Sequence, residues 1–170
     1  MPFTPFHFGP GLAIKGLIPH HFSLSMFTLA NVAMDVEPLY RMWLIETPIH
    51  GFSHTLTGAA LIAAGSVLLG RFAITHAWRL YERWSADADE HLEMTWLQAW
   101  VGAAIGTGSH LLLDAVMHRD IHPFAPLTDA NQLLMMEWIL PLHLGCIVAG
   151  MVGMMLILIR SAFQQEHELN

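Results

Sequence analysis

Residues 96–117 read WLQAWVGAAIGTGSHLLLDAVM, and the reading of this stretch decides the fold class. At about 1.5 Å rise per residue, a helix of this length spans roughly 33 Å, enough to cross the hydrocarbon core of a bilayer. The stretch shows no strand alternation. Yet it carries His110 and Asp114 near its end. Positions i and i+4 share one helix face, with Cβ atoms roughly 6 Å apart. An imidazole and a carboxylate inside an apolar span are costly and need a reason. Together they can ligate one metal or two adjacent metals. They can equally form a hydrogen-bonded pair in a helix-packing seam.

Two further apolar stretches flank it. Residues 55–70 (TLTGAALIAAGSVLLG) carry no charge and can continue as helix through Arg71 towards Trp84. Residues 138–159 (WILPLHLGCIVAGMVGMMLILI) are interrupted only by Pro141 and His143. Full spans are expected near 55–76, 96–117 and 138–160. The segment 21–34 (HFSLSMFTLANVAM) is too short to cross alone and suits a half-helix or re-entrant segment. Composition agrees: 54% of the 170 residues are hydrophobic and 12% charged, against roughly 25% charged in ordinary soluble domains. Mean hydropathy is +0.46. The expected fold is therefore all-α, one integral membrane domain over 1–170. Within it lie an N-terminal region (1–54), a transmembrane bundle (55–160) and a polar tail (161–170). Residues 79–93 read as an exposed turn with helical ends, and 120–131 as a loop. Gly102 and Gly106 suit close helix contact.

A formal charge of −7 and the absence of any basic tract exclude a charge-driven nucleic-acid module. Cys146 is the only cysteine, so neither an internal disulfide nor a thiolate zinc cluster can form. The start, MPFTPFHFGPG, lacks the basic-then-apolar pattern of a cleaved signal peptide.

Histidine is the compositional anomaly, with 12 residues against 7 Lys plus Arg. Connectivity brings most of them to one rim. The first span leaves His54, the second runs back towards His110 and Asp114, and the third starts on that same side. His50 and His54 in HGFSHT repeat the i, i+4 spacing. Asp35 in NVAMDVEP suits a buried turn after an apolar run. His7 in TPFHFGPG sits in a stiff loop between prolines and glycines, and His118 follows Asp114 by four residues. Nitrogen and carboxylate ligands without thiolate suit zinc, manganese or iron.

The succession TPFHFGPG, NVAMDVEP, HGFSHT and GSHLLLDAVMHRDIHPFAP resembles the membrane-bound metal-dependent hydrolases. These are small bacterial and archaeal membrane proteins, considered distant relatives of zinc-dependent phospholipase C and the single-strand-specific zinc nucleases. The resemblance covers about the first three quarters of the chain. It implies a helical fold in the bacterial inner (plasma) membrane and a zinc cluster cleaving phosphoesters. His7, Asp35, His54, His110 and Asp114 are the implied ligands, with His50 and His118 as further candidates. The chain departs from the soluble relatives in two ways. Six residues precede His7, whereas those relatives ligate through a processed N-terminal amine. Their late H-x-x-x-E pair is also missing, since Ile147 stands four residues after His143. Two zinc ions are thus implied rather than three. Asp35 would bridge them or act as general base, and Arg119 would pair with phosphate. The substrate would be a phospholipid or polyprenyl phosphate presented by the membrane.

Two other functions fit the composition. One is a haem-binding helix bundle using His54, His110 and His143. The other is an accessory subunit of a larger membrane complex, or of a homo-oligomer, that retains a metal site. For orientation, Arg71, Arg79, Arg83 and Arg160 are expected opposite the histidine rim, with Lys15, Arg41 and Arg119 on it.

Overall fold

The computed structural model describes residues 5–84 and 94–168. Among these the architecture is all-helical, without a strand. Seven α-helices follow one another: α1 (Phe8–Leu17), α2 (Leu24–Met34), α3 (Val36–Trp43), α4 (Leu56–Gly65), α5 (Arg71–Trp84), α6 (Trp96–Met117) and α7 (Ile139–Glu168). A π-helical turn at Ser66–Gly70 joins α4 to α5.

The centre of the fold is α6. Its first turn is closed by a reciprocal cap, in which the Thr95 side chain accepts from Gln98 N–H and the Gln98 side chain accepts from Thr95 N–H. Helices α2 and α4 pack against it, while α1 lies along α7. The α2–α6 contact is close because α6 presents glycine. A Cβ on Gly102 would stand 2.5 Å from the Ser23 carbonyl oxygen, and one on Gly106 would stand 2.8 Å from that of Phe27. The α1–α7 contact works likewise through Gly9, against the Cys146 backbone, and Gly153, against the Leu12 backbone.

Among the described residues, two helices are long and apolar enough to cross a membrane, Leu56–Tyr81 and Met136–Gln165. The expected third span, α6, has the predicted limits but a different setting. It is enclosed by α2 and α4, with Ala99, Ala103, Thr107, His110, Leu111 and Asp114 all buried. Its polar residues are sheltered by neighbours rather than offered to lipid. Helix α2 is helical and short, as expected of 21–34.

Two expectations change. Residues 5–11 are not a loop: a 3-10 turn at Pro5–His7 runs straight into α1. Pro10 is tolerated because it falls in the first turn, where its missing N–H has no intrahelical partner to lose. The polar tail beyond 160 is helical as far as Glu168, where α7 ends. Lys15 is not on the histidine rim. Its Nζ donates to the carbonyls of Pro19 and Phe22, and nearby Leu17 O accepts from Arg160, near the far end of α7. Helix α5 covers part of the expected 79–93 turn, and residues 85–93 lie outside the described residues.

Candidate metal centre

Four chain segments deliver side chains to one buried point. Thr55 Oγ1 accepts from Gly58 N–H and so starts α4. The chain before it must turn, and the 3-10 turn Phe52–His54 points His54 inward, wholly buried. Asp35 is at once the C-cap of α2 and the N-cap of α3. The α3 residue Glu37 docks the 50–54 turn by accepting from Phe52 and Ser53 N–H. Burial raises the Glu37 carboxyl, but the Ser53 contacts and Arg41 outweigh it and hold it below its usual range. His7 ends the first 3-10 turn. His110 and Asp114 share the inner face of α6, and His118 caps its end.

The distances are short. Asp114 receives His7 Nε2 at 3.2 Å, His54 Nε2 at 3.2 Å, His110 Nε2 at 3.1 Å and His118 Nε2 at 3.8 Å. His110 Nε2 is also 3.3 Å from Asp35 Oδ1. The rings of His50 and His118 lie 4.6 Å apart, and those of His7 and His110 4.3 Å apart. All seven residues singled out from the sequence therefore meet: His7, Asp35, His50, His54, His110, Asp114 and His118. Two sets could each hold a metal ion, Asp35–His54–His110–Asp114 and His50–Asp114–His118. The carboxylate common to both is Asp114. Asp35, expected as a bridge, belongs to the first set only.

The decisive detail is which nitrogen faces inward. Asn31, buried on α2, donates through Nδ2 to Gly106 O at 3.1 Å. Its Oδ1 therefore faces His110 Nδ1, at 2.8 Å, and that nitrogen must carry the proton. Asp120 accepts from His50 Nδ1 at 3.0 Å and from the N–H groups of Ile49 and His50. Burial raises the Asp120 carboxyl, yet these contacts hold it below its usual range. Ser53 Oγ lies 2.9 Å from His54 Nδ1. With Nδ1 donating outward, the Nε2 of neutral His110 and His50 is left as an acceptor, while Ser53 Oγ can either accept from or donate to His54 Nδ1. Burial pushes both His54 and His118 below the ordinary imidazole value, favouring the neutral ring that ligates metals.

The result is a cluster of imidazole nitrogens facing carboxylate oxygens, in which His54 Nε2 and Asp114 Oδ2 share a hydrogen bond at 3.2 Å. His7 Nδ1 and Nε2, His110 Nε2 and Asp114 Oδ1 are buried with no hydrogen-bond partner among the described residues. Buried polar atoms are almost always satisfied. Imidazole nitrogens and carboxylates that converge at such distances could hold a metal ion. The donor set of imidazole and carboxylate fits zinc or another divalent transition metal.

The remaining polar groups stand apart from this set. His143 Nδ1 faces the Ile139 carbonyl, its ring edge-on to Phe6. His122 Nδ1 contacts the Asp129 carbonyl. Arg119 is exposed. Sequence reading missed Asn31, Ser53 and Asp120. Asn31 had a signal, since it precedes Asp35 by four residues on one helix. Asp120 had none, being 70 residues from His50.

Compared with protein-family models, with curated proteins and with solved structures, the chain matches none.

Proposed function

We propose that this chain is a membrane-embedded, metal-dependent hydrolase with a di-zinc-type centre, acting on a phosphoester of a lipid-like substrate. The observation that carries the reading is the convergence of histidine Nε2 atoms on Asp114 and Asp35 at one buried point, where His7 Nε2, His110 Nε2 and Asp114 Oδ1 have no hydrogen-bond partner among the described residues. Two cations rather than one are favoured because Asp114 belongs to both ligand sets. Zinc is favoured over manganese by the excess of imidazole. Divalent cations there would supply Lewis-acid activation of water and neutralisation of phosphoryl charge.

The chain's own residues do the rest. Asn31 and Asp120 hold His110 and His50 in the tautomer that keeps Nε2 free. Asp114 binds across both sets. Asp35, at the α2–α3 junction, takes up the proton of the attacking water as general base. The membrane assignment rests on the helices Leu56–Tyr81 and Met136–Gln165, and a lipid substrate follows from a centre built into such a bundle. The haem alternative gains no support, because the rings of His54 and His110 lie 5.2 Å apart, too close to flank a porphyrin iron.

Metal analysis of detergent-purified protein tests this directly. The expected result is about two zinc ions per chain, lost in Asp114→Ala and reduced in His110→Ala. Release of phosphate or a phosphorylated headgroup from phospholipid should vanish with Asp114→Ala. Protein that binds no divalent metal at neutral pH would refute the proposal.

A further inference from the structure

Helix α3 leaves the candidate centre at Asp35 and is inverted relative to a soluble amphipathic helix. Val36, Leu39, Tyr40 and Trp43, spaced i, i+3, i+4 and i+7, are all exposed. Its charged residues turn inward instead. Arg41 Nε donates to Glu37 Oε1 at 2.9 Å and Arg41 Nη1 to Pro48 O, while Glu37 accepts from Phe52 and Ser53 N–H. The outward stripe is thus uncharged.

The end of α3 extends that stripe at a conformational cost. Glu46 N–H bonds to Arg41 O at 2.9 Å and Ile45 N–H to Met42 O at 3.1 Å. This is the Schellman pattern, in which the left-handed residue is usually glycine. Here it is Ile45, with φ of 57°. A β-branched residue is disfavoured in that region. Ile45 is nonetheless 91% exposed and Trp43 84%. Local packing gives no reason for an isoleucine at this place, whereas an apolar surroundings would.

We infer that α3 and its Trp43–Ile45 tip form an interfacial element that lies in the acyl boundary of the same membrane and, through Asp35 at its start, holds the candidate metal centre near headgroup depth. Two observations favour lipid over protein as its occupant. The exposed apolar residues include Phe52 and Leu56, the latter opening the helix that is long and apolar enough to cross. Tryptophan and tyrosine beside aliphatic residues are the composition of membrane interfaces. The inference deepens the proposed function, resting on its membrane reading. It makes the substrate a headgroup reached without leaving the bilayer.

The test is a nitroxide at Trp43→Cys in a Cys146→Ala background, reconstituted in phosphatidylcholine–phosphatidylglycerol vesicles. Collision with oxygen should exceed collision with chromium oxalate by several-fold. Leu39→Cys repeats the measurement if the first variant fails to fold. Ready collision with chromium oxalate at either site overturns the inference. Spin–spin broadening that disappears on dilution with unlabelled protein overturns it in favour of a second copy. Zinc content of the same vesicles is read separately. Loss of metal with a lipid-exposed label would sink the enzymatic proposal and leave this one standing.

Discussion

Asn31 shows how a single uncharged residue sets the chemistry of a charged centre. Its side chain has one donor group and one acceptor, and both are committed: Nδ2 to Gly106 O and Oδ1 to His110 Nδ1. That arrangement forces the His110 proton outward. Groups behind a ligating histidine typically influence metal affinity by about 10- to 100-fold. Asn31→Leu should weaken zinc binding by a factor in that range, measured by competition with a chromophoric chelator, while helical content stays unchanged. Asn31→Asp keeps an acceptor for His110 Nδ1 and should retain most of the affinity. Equal loss in both variants would show that Asn31 acts only by packing. At this scale connectivity and i, i+4 spacing made a shared histidine rim legible, and the selection of seven residues within it followed what the family resemblance implies. Their outer partners were less legible. The Asp120–His50 contact depends on how the loop after α6 folds over the 50–54 turn, where Leu56 N–H bonds Pro123 O, and no local pattern encodes that.

Among the elements, α6 and α2 form the contact on which the centre depends. The pair Gly102 and Gly106 was readable as a close-packing surface, but its partner was not, because several helices offered small or apolar faces. The structure places α2 there, with the Phe27 carbonyl oxygen 2.8 Å from where a Gly106 Cβ would stand. The obstructing atom is backbone, so a helix must move to make room. Gly106→Ala should therefore destabilise the protein by roughly 1–3 kcal/mol, as overpacking generally does, measured by denaturant titration in detergent micelles. It should also lower zinc affinity, because moving α2 displaces both Asn31 and Asp35. The same enclosure is what the structure adds to the reading of α6. Its limits are those expected from the sequence, and the neighbouring helices cover His110 and Asp114. Burial by other elements is a tertiary property that neither length nor composition reports.

For the molecule as a whole, the distribution of basic residues follows from the way α1 and α7 run side by side. Gly9 meets Cys146, Leu12 meets Gly153, and Leu17 meets Arg160, so both helices run from the candidate metal centre towards the opposite face. Lys15 therefore joins Arg71, Arg79, Arg83 and Arg160 away from the centre, leaving Arg41 and Arg119 near it. A margin of four against three becomes five against two. Basic residues close to the ends of spanning helices favour the cytoplasmic side, and acidic ones carry little weight in this tendency. The C-terminal end of α5 and the end of α7 are thus expected in the cytoplasm, and the candidate metal centre in the opposite half of the membrane. A phosphatase reporter fused after residue 170 should be inactive, and a fluorescent reporter at the same place should be bright. The reverse pattern would turn the molecule over. It would leave the ligand geometry intact and move the substrate headgroup to the inner leaflet, where the same centre would meet a different pool of lipid.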